Sequence, residues 1–172
     1  MNFARLVDSL DRFQNVLPAL LNELDEESVK WKPPSGNWSI LEIVCHLGDE
    51  EVEDFRTRVR MTLENPGDDW PPIDPEGVAI SRKYQDSSID DALERFLVER
   101  AESVRWLRSL KDPNWQLAYQ HPRFGRIQAG EVLTAWVAHD HLHTRQIAKR
   151  LFEMSARDGE PYSTSYAGEW TA

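Results

Sequence analysis

Apolar residues recur three or four positions apart in four long stretches of this 172-residue chain, and this spacing constrains the fold more than any other feature. A stripe of that period is one face of an amphipathic helix, which must be covered by another element. Phe3, Leu6, Val7, Leu10, Phe13, Leu17, Leu20 and Leu24 predict a helix over 3–24. Ser39 and Glu42 stand at capping-box spacing, and the stripe from Ile40 to Leu63 predicts a second helix over 39–64, closed by Pro66. A third is expected over 89–111, with Leu93, Phe96, Leu97, Val104 and Leu107 inward, and a fourth over 129–152. Four stripes bury one another most simply in an all-α four-helix bundle.

The connectors set the topology. Residues 65–88 carry Pro66, Pro71, Pro72, Pro75, Gly67, Asp68 and Asp69, a composition that favours turns over helix. An irregular connection of that length can travel along a neighbouring helix, so a long crossover between helices two and three is expected, with those helices running parallel. A second irregular stretch carries Pro113, Pro122 and Gly125, and no β-hairpin is expected in it. Residues 154–172 read as an irregular tail, and the whole of 1–172 as a single domain.

Composition narrows the function classes. Lys and Arg number 20 against 30 Asp and Glu, a net charge of −10 that repels phosphate backbones and anionic lipid. Nucleic acid and membranes are therefore not expected as partners; the partner expected is a small-molecule substrate. The apolar runs are far shorter than the roughly 20 residues of a membrane span, and the N-terminus lacks a signal-peptide core, so a cytoplasmic protein is expected. Cys45 is the lone cysteine and has no internal disulfide partner, which makes it a packing residue.

Three of the five histidines fall within Trp136–His143 of the fourth helix. On a helical wheel His139 and His143 share the side of Val132, Trp136 and Ile147, while His141 points about 180° away, toward solvent. The i, i+4 pair can reach one metal ion, or it can form two neutral core histidines satisfied by neighbours. A third ligand would come from His46 or His121. His46 lies on a helix, but its wheel position is beside Glu42, Asp49, Glu50 and Glu53: either a solvated charged face or the polar border of a cleft. Asp49 and Glu50 are then candidates to orient its ring, and the run Asp49 to Glu51 is otherwise expected on a solvated face. Trp70, Trp115 and Trp170 lie outside the stripes, where they cover bundle ends or line a pocket mouth.

The chain resembles the DinB-like superfamily, which includes thiol transferases that use mycothiol or bacillithiol. The resemblance rests on Trp38-Ser39 followed by Glu42 and His46-Leu47, on Phe124-Gly125, and on His139-x3-His143 running into Arg145-Gln146-Ile147. It implies a four-helix bundle with one long crossover, a homodimer, and a divalent metal held by His46, His139 and His143. Zinc and nickel head the candidates, since imidazoles suit both. Such a centre activates water for hydrolysis or a low-molecular-weight thiol for transfer to an electrophile. Glu50, Glu53 and Asp140 are the candidates for a general base. The competing reading is a non-catalytic bundle braced by its metal or serving as a dimer interface, with Asp140 or Glu50 closing the fourth coordination position.

Overall fold

The computed structural model describes residues 1–171. Its helices are α1 (Phe3–Leu21), α2 (Glu26–Lys30), α3 (Ile40–Glu50), α4 (Arg56–Glu64), α5 (Pro75–Ser81), α6 (Ile89–Ser109) and α7 (Ala129–Asp158). A π-helical turn, Glu51–Phe55, joins α3 to α4 without a break, so the second stripe is one long rod. α1, the α3–α4 rod, α6 and α7 form the four-helix bundle. The Ser39 side chain accepts from the Glu42 N–H while the Glu42 carboxylate accepts from the Ser39 N–H, the capping box expected at the start of α3.

Facing pairs give the directions. Gly48 meets Phe96, and further along the same two helices Arg56 donates to Ser103, so the α3–α4 rod and α6 run parallel across the crossover. His46 meets His143 and Phe55 meets Trp136, so α7 runs antiparallel to the rod.

Two expectations about the connectors are corrected. Residues 65–88 contain α5, where Asp74 caps the Gly77 N–H and Pro75 occupies the first helical turn, a position at which its missing N–H costs nothing. Residues 112–128 contain a β-hairpin of β1 (Ala118–His121) and β2 (Gly125–Gln128), paired antiparallel. Four-residue strands rich in polar side chains carry too little alternation to announce themselves. Gly125, at φ +72°, supplies the left-handed residue that the hairpin turn needs.

The apolar core divides into two clusters. One gathers Phe13, Leu17, Ile40, Ile43, Leu47, Phe96 and Ile147; the other gathers Val7, Leu10, Phe55, Val59, Val104, Leu107, Leu133 and Trp136. Between them, along three helices, lie Glu51, Arg100 and Asp140, each at most 2% exposed. Arg100 donates to Glu51 Oε1 from Nε (2.9 Å) and Nη2 (2.6 Å), and to both Asp140 oxygens. Trp136 Nε1 donates to the same Glu51 oxygen at 2.8 Å. A charged layer thus crosses the bundle at the level of the histidines.

Candidate metal centre

α3 is covered on every side, and each of its residues is buried. Its apolar side meets α6 and α7, while its polar flank is roofed by the crossover. Asp49 accepts from the Tyr84 hydroxyl and forms ion pairs with Arg82 and Arg95, and Glu42 pairs with Lys32 at 2.8 Å. The expectation that Asp49 to Glu51 form a solvated face is therefore wrong: Glu50 is 9% exposed and Glu51 1%. Asp49 and Glu51 face cationic partners that offset their burial, whereas Glu50 faces the Asp54 carboxyl and is driven toward its neutral form.

This covered flank holds His46 5% exposed, with the Trp38 ring 4.9 Å away. The His46 ring centroid lies 5.3 Å from that of His139 and 4.8 Å from that of His143. One ring nitrogen from each histidine lies within 4.8 Å of the others. Nε2 of His139 and Nε2 of His143 are 2.9 Å apart, a spacing that a shared proton or a shared cation must bridge. His143 Nδ1 contacts Gln146 Oε1 at 2.7 Å; since the amide oxygen only accepts, the proton belongs on Nδ1 and the Nε2 lone pair faces the cluster. Phe55 packs on His139 from the side, with 4.9 Å between centroids.

Burial keeps all three imidazoles neutral. It is the main reason that His46 falls to about 3 and His143 to about 4, and for His46 the repulsion of His143 adds to it. His139 is lowered by burial and then by both neighbouring histidines. Neutral imidazole is the form that coordinates a cation. Three converging neutral nitrogens, one ring fixed by Gln146, therefore fit a divalent ion.

The remaining candidates occupy different ground. His141 is exposed. His121 closes the hairpin turn, its Nδ1 accepting from the N–H groups of Arg123 (3.0 Å) and Phe124 (3.1 Å). Asp140 is engaged by Arg100 in the core, and Glu53 pairs with Arg82 at the surface. Glu50 Oε1 stands 3.6 Å from His46 Nδ1, beyond hydrogen-bond reach. Its carboxyl is raised to about 8, first by burial and next by the Asp54 charge. No fourth His, Cys, Asp or Glu joins the cluster among the described residues. Beside it opens a cleft of about 340 Å³ bordered by His46, Asp49, Glu50, Glu53, Thr57 and the proline-rich segment 71–75. Trp70 and Trp115 lie outside this cleft: Trp70 stacks on Tyr119 of the hairpin and Trp115 packs against Phe3. Trp38 is the tryptophan beside the histidines.

Sequence reasoning missed the charged layer, although a signal was present. Arg100 lies four residues after Phe96 and four before Val104, Glu51 midway between Leu47 and Phe55, and Asp140 four after Trp136. Each is in phase with a buried stripe.

Comparison with known proteins adds the family. The model of the DinB superfamily matches residues 9–147. The chain belongs to the DinB superfamily. A protein of Oceanobacillus iheyensis named a "putative metal-dependent hydrolase" is 24% identical over 151 residues, 84% of each chain. Among solved structures, YfiT from Bacillus subtilis, described as a probable metal-dependent hydrolase with an unusual four-helix bundle topology, superposes with a TM-score of 0.77. That match has 20% identity and covers 91% of this chain and 87% of YfiT, which establishes the common fold. Among the described residues no helix of this DinB-superfamily chain is long and apolar enough to cross a membrane.

Proposed function

We propose that this DinB-superfamily protein is a metal-dependent hydrolase whose divalent cation is held by His46, His139 and His143. One observation carries the reading: three neutral imidazoles converge beside an open cleft, and among the described residues no carboxylate occupies a fourth position. A bracing site would be closed by a fourth side chain, whereas a catalytic site keeps a position for water or substrate. The two residues that could have closed it are otherwise placed, Asp140 on Arg100 and Glu50 at the cleft wall. The names of the relatives support hydrolysis over thiol transfer.

The cation would supply Lewis acidity, polarising water or a carbonyl group at neutral pH. The chain supplies the rest. Gln146 holds the His143 ring in the tautomer that presents Nε2. Trp38 and Phe55 flank the histidine rings and exclude bulk water from them. Glu50 is the general base: it borders the cleft with Oε1 3.6 Å from His46 Nδ1, and a cation bound there would draw its carboxyl down from about 8 toward the ionised form that a base requires.

The test is a hydrolase screen of metal-loaded, untagged protein on esters, amides and small cyclic amides, with parallel reactions supplying low-molecular-weight thiols and electrophiles. Metal-dependent hydrolysis that falls about 10²–10⁴-fold in Glu50→Gln supports the proposal. Turnover only in the presence of a thiol would replace it with group transfer.

A further inference from the structure

A second groove, of about 680 Å³, lies between the turn before α3 and the C-terminal half of α7. Its walls include Trp38, Gln146, Arg145, Lys149 and Arg150, so it backs onto the histidine cluster through Trp38 on His46 and Gln146 on His143. Three cations of α7 lining one groove contrast with a chain of net charge −10. Glu76 of α5 is the acidic residue on the wall, and Glu153 lies beside Arg150 with Oε2 3.0 Å from Nη1. Arg145 and Lys149 form no ion pair among the described residues.

Arg150 is the decisive residue. It is 4% exposed, yet its buried Nε and Nη1 have no hydrogen-bond partner. A guanidinium carries five N–H donors and cannot shed its charge, so unmet donors at a buried position are costly. Glu153 stands 3.0 Å from Nη1 at one edge of the guanidinium, and Nε stays without a partner. A groove of this size accommodates a small molecule, and planar guanidinium donors match carboxylate and phosphate oxygens.

We infer that this groove is a binding site for a small dianion, a phosphoryl or dicarboxylate compound, held by Arg150 with Arg145 and Lys149. Nothing in this inference depends on the metal centre being catalytic. Calorimetric titration of the full chain at low ionic strength with inorganic phosphate and, separately, with succinate tests it. Saturable binding of either probe is expected, the tighter one identifying the class. It should weaken at least about tenfold in Arg150→Gln and in the double variant Arg145→Ala/Lys149→Ala, and stay unchanged in His141→Ala. The double variant changes residues outside the core, so it keeps the test open if Arg150→Gln fails to fold. Absence of saturable heat with both probes, or affinity unchanged in the double variant, would overturn the inference.

Discussion

Asp140 follows His139 directly in α7, yet its two carboxylate oxygens turn into the bundle and accept from Arg100 at 2.7 and 2.8 Å. The two residues lock α6 to α7 one position away from the histidine cluster. Because Arg100 also holds Glu51, on the rod that carries His46, one guanidinium ties together both helices that supply the imidazoles. Arg100 thereby positions the site without touching it.

Removing that guanidinium leaves two buried carboxylates uncompensated. Arg100→Met is expected to destabilise the protein by about 3–5 kcal/mol, the usual cost of breaking a buried ion pair from one side. Urea unfolding followed by circular dichroism measures it; a loss below about 1 kcal/mol would show that Glu51 and Asp140 are stable without their partner.

The histidines make stability depend on pH with a definite sign. In the folded metal-free protein His46 and His143 titrate at about 3 and 4, whereas unfolded histidine titrates near 6.5. Between those values the unfolded chain binds protons that the fold refuses, so the histidines' contribution to the stability of the metal-free protein is complete above about pH 6.5 and is lost as pH falls toward 4, while the raised carboxyl of Glu50 acts in the opposite sense. Denaturation midpoints of wild type and His143→Gln across pH 4–8 check this. A wild-type slope no steeper than that of the variant would contradict the burial of a neutral ring.

Glu50 gives the activity its own pH signature. A cation nearby draws its carboxyl down from about 8, so hydrolysis is expected to rise with pH to a plateau whose midpoint lies at or below about 8. The rise should vanish in Glu50→Gln, along with most of kcat. A profile unchanged by that substitution would assign the base elsewhere.

Packing in α1 separates two leucines that share one stripe. Leu17 is fully buried and Leu20 is half-buried. Leu17→Ala should cost about 2–5 kcal/mol and Leu20→Ala clearly less, read from thermal or denaturant unfolding. Equal costs would mean that the stripe is buried uniformly and the packing of α1 is different from that seen.

The four long helices were legible because their periodicity persists for many turns, and His139 and His143 because they share the phase of Trp136 and Ile147. The crossover revealed itself through its prolines, although the helix α5 inside it did not, since Pro75 at a first helical turn looks like any other proline. The depth of His46 was hidden for a related reason. Its polar flank is covered by Tyr84, Arg82 and Lys32, groups from irregular segments whose course no helical period encodes. Arg100, Glu51 and Asp140 were written into the stripes, but a lone charge in phase resembles an interruption until all three are seen to meet.

The central claim is that three histidines from two helices hold one cation, and metal content measures it most directly. Untagged protein analysed by elemental mass spectrometry, after exposure to zinc or nickel and removal of excess, should retain about one divalent ion per chain. His46→Ala, His139→Ala and His143→Ala should each lose it while remaining folded, and His141→Ala should keep it. Full occupancy surviving in His46→Ala, or no retained metal in wild type, would contradict the account.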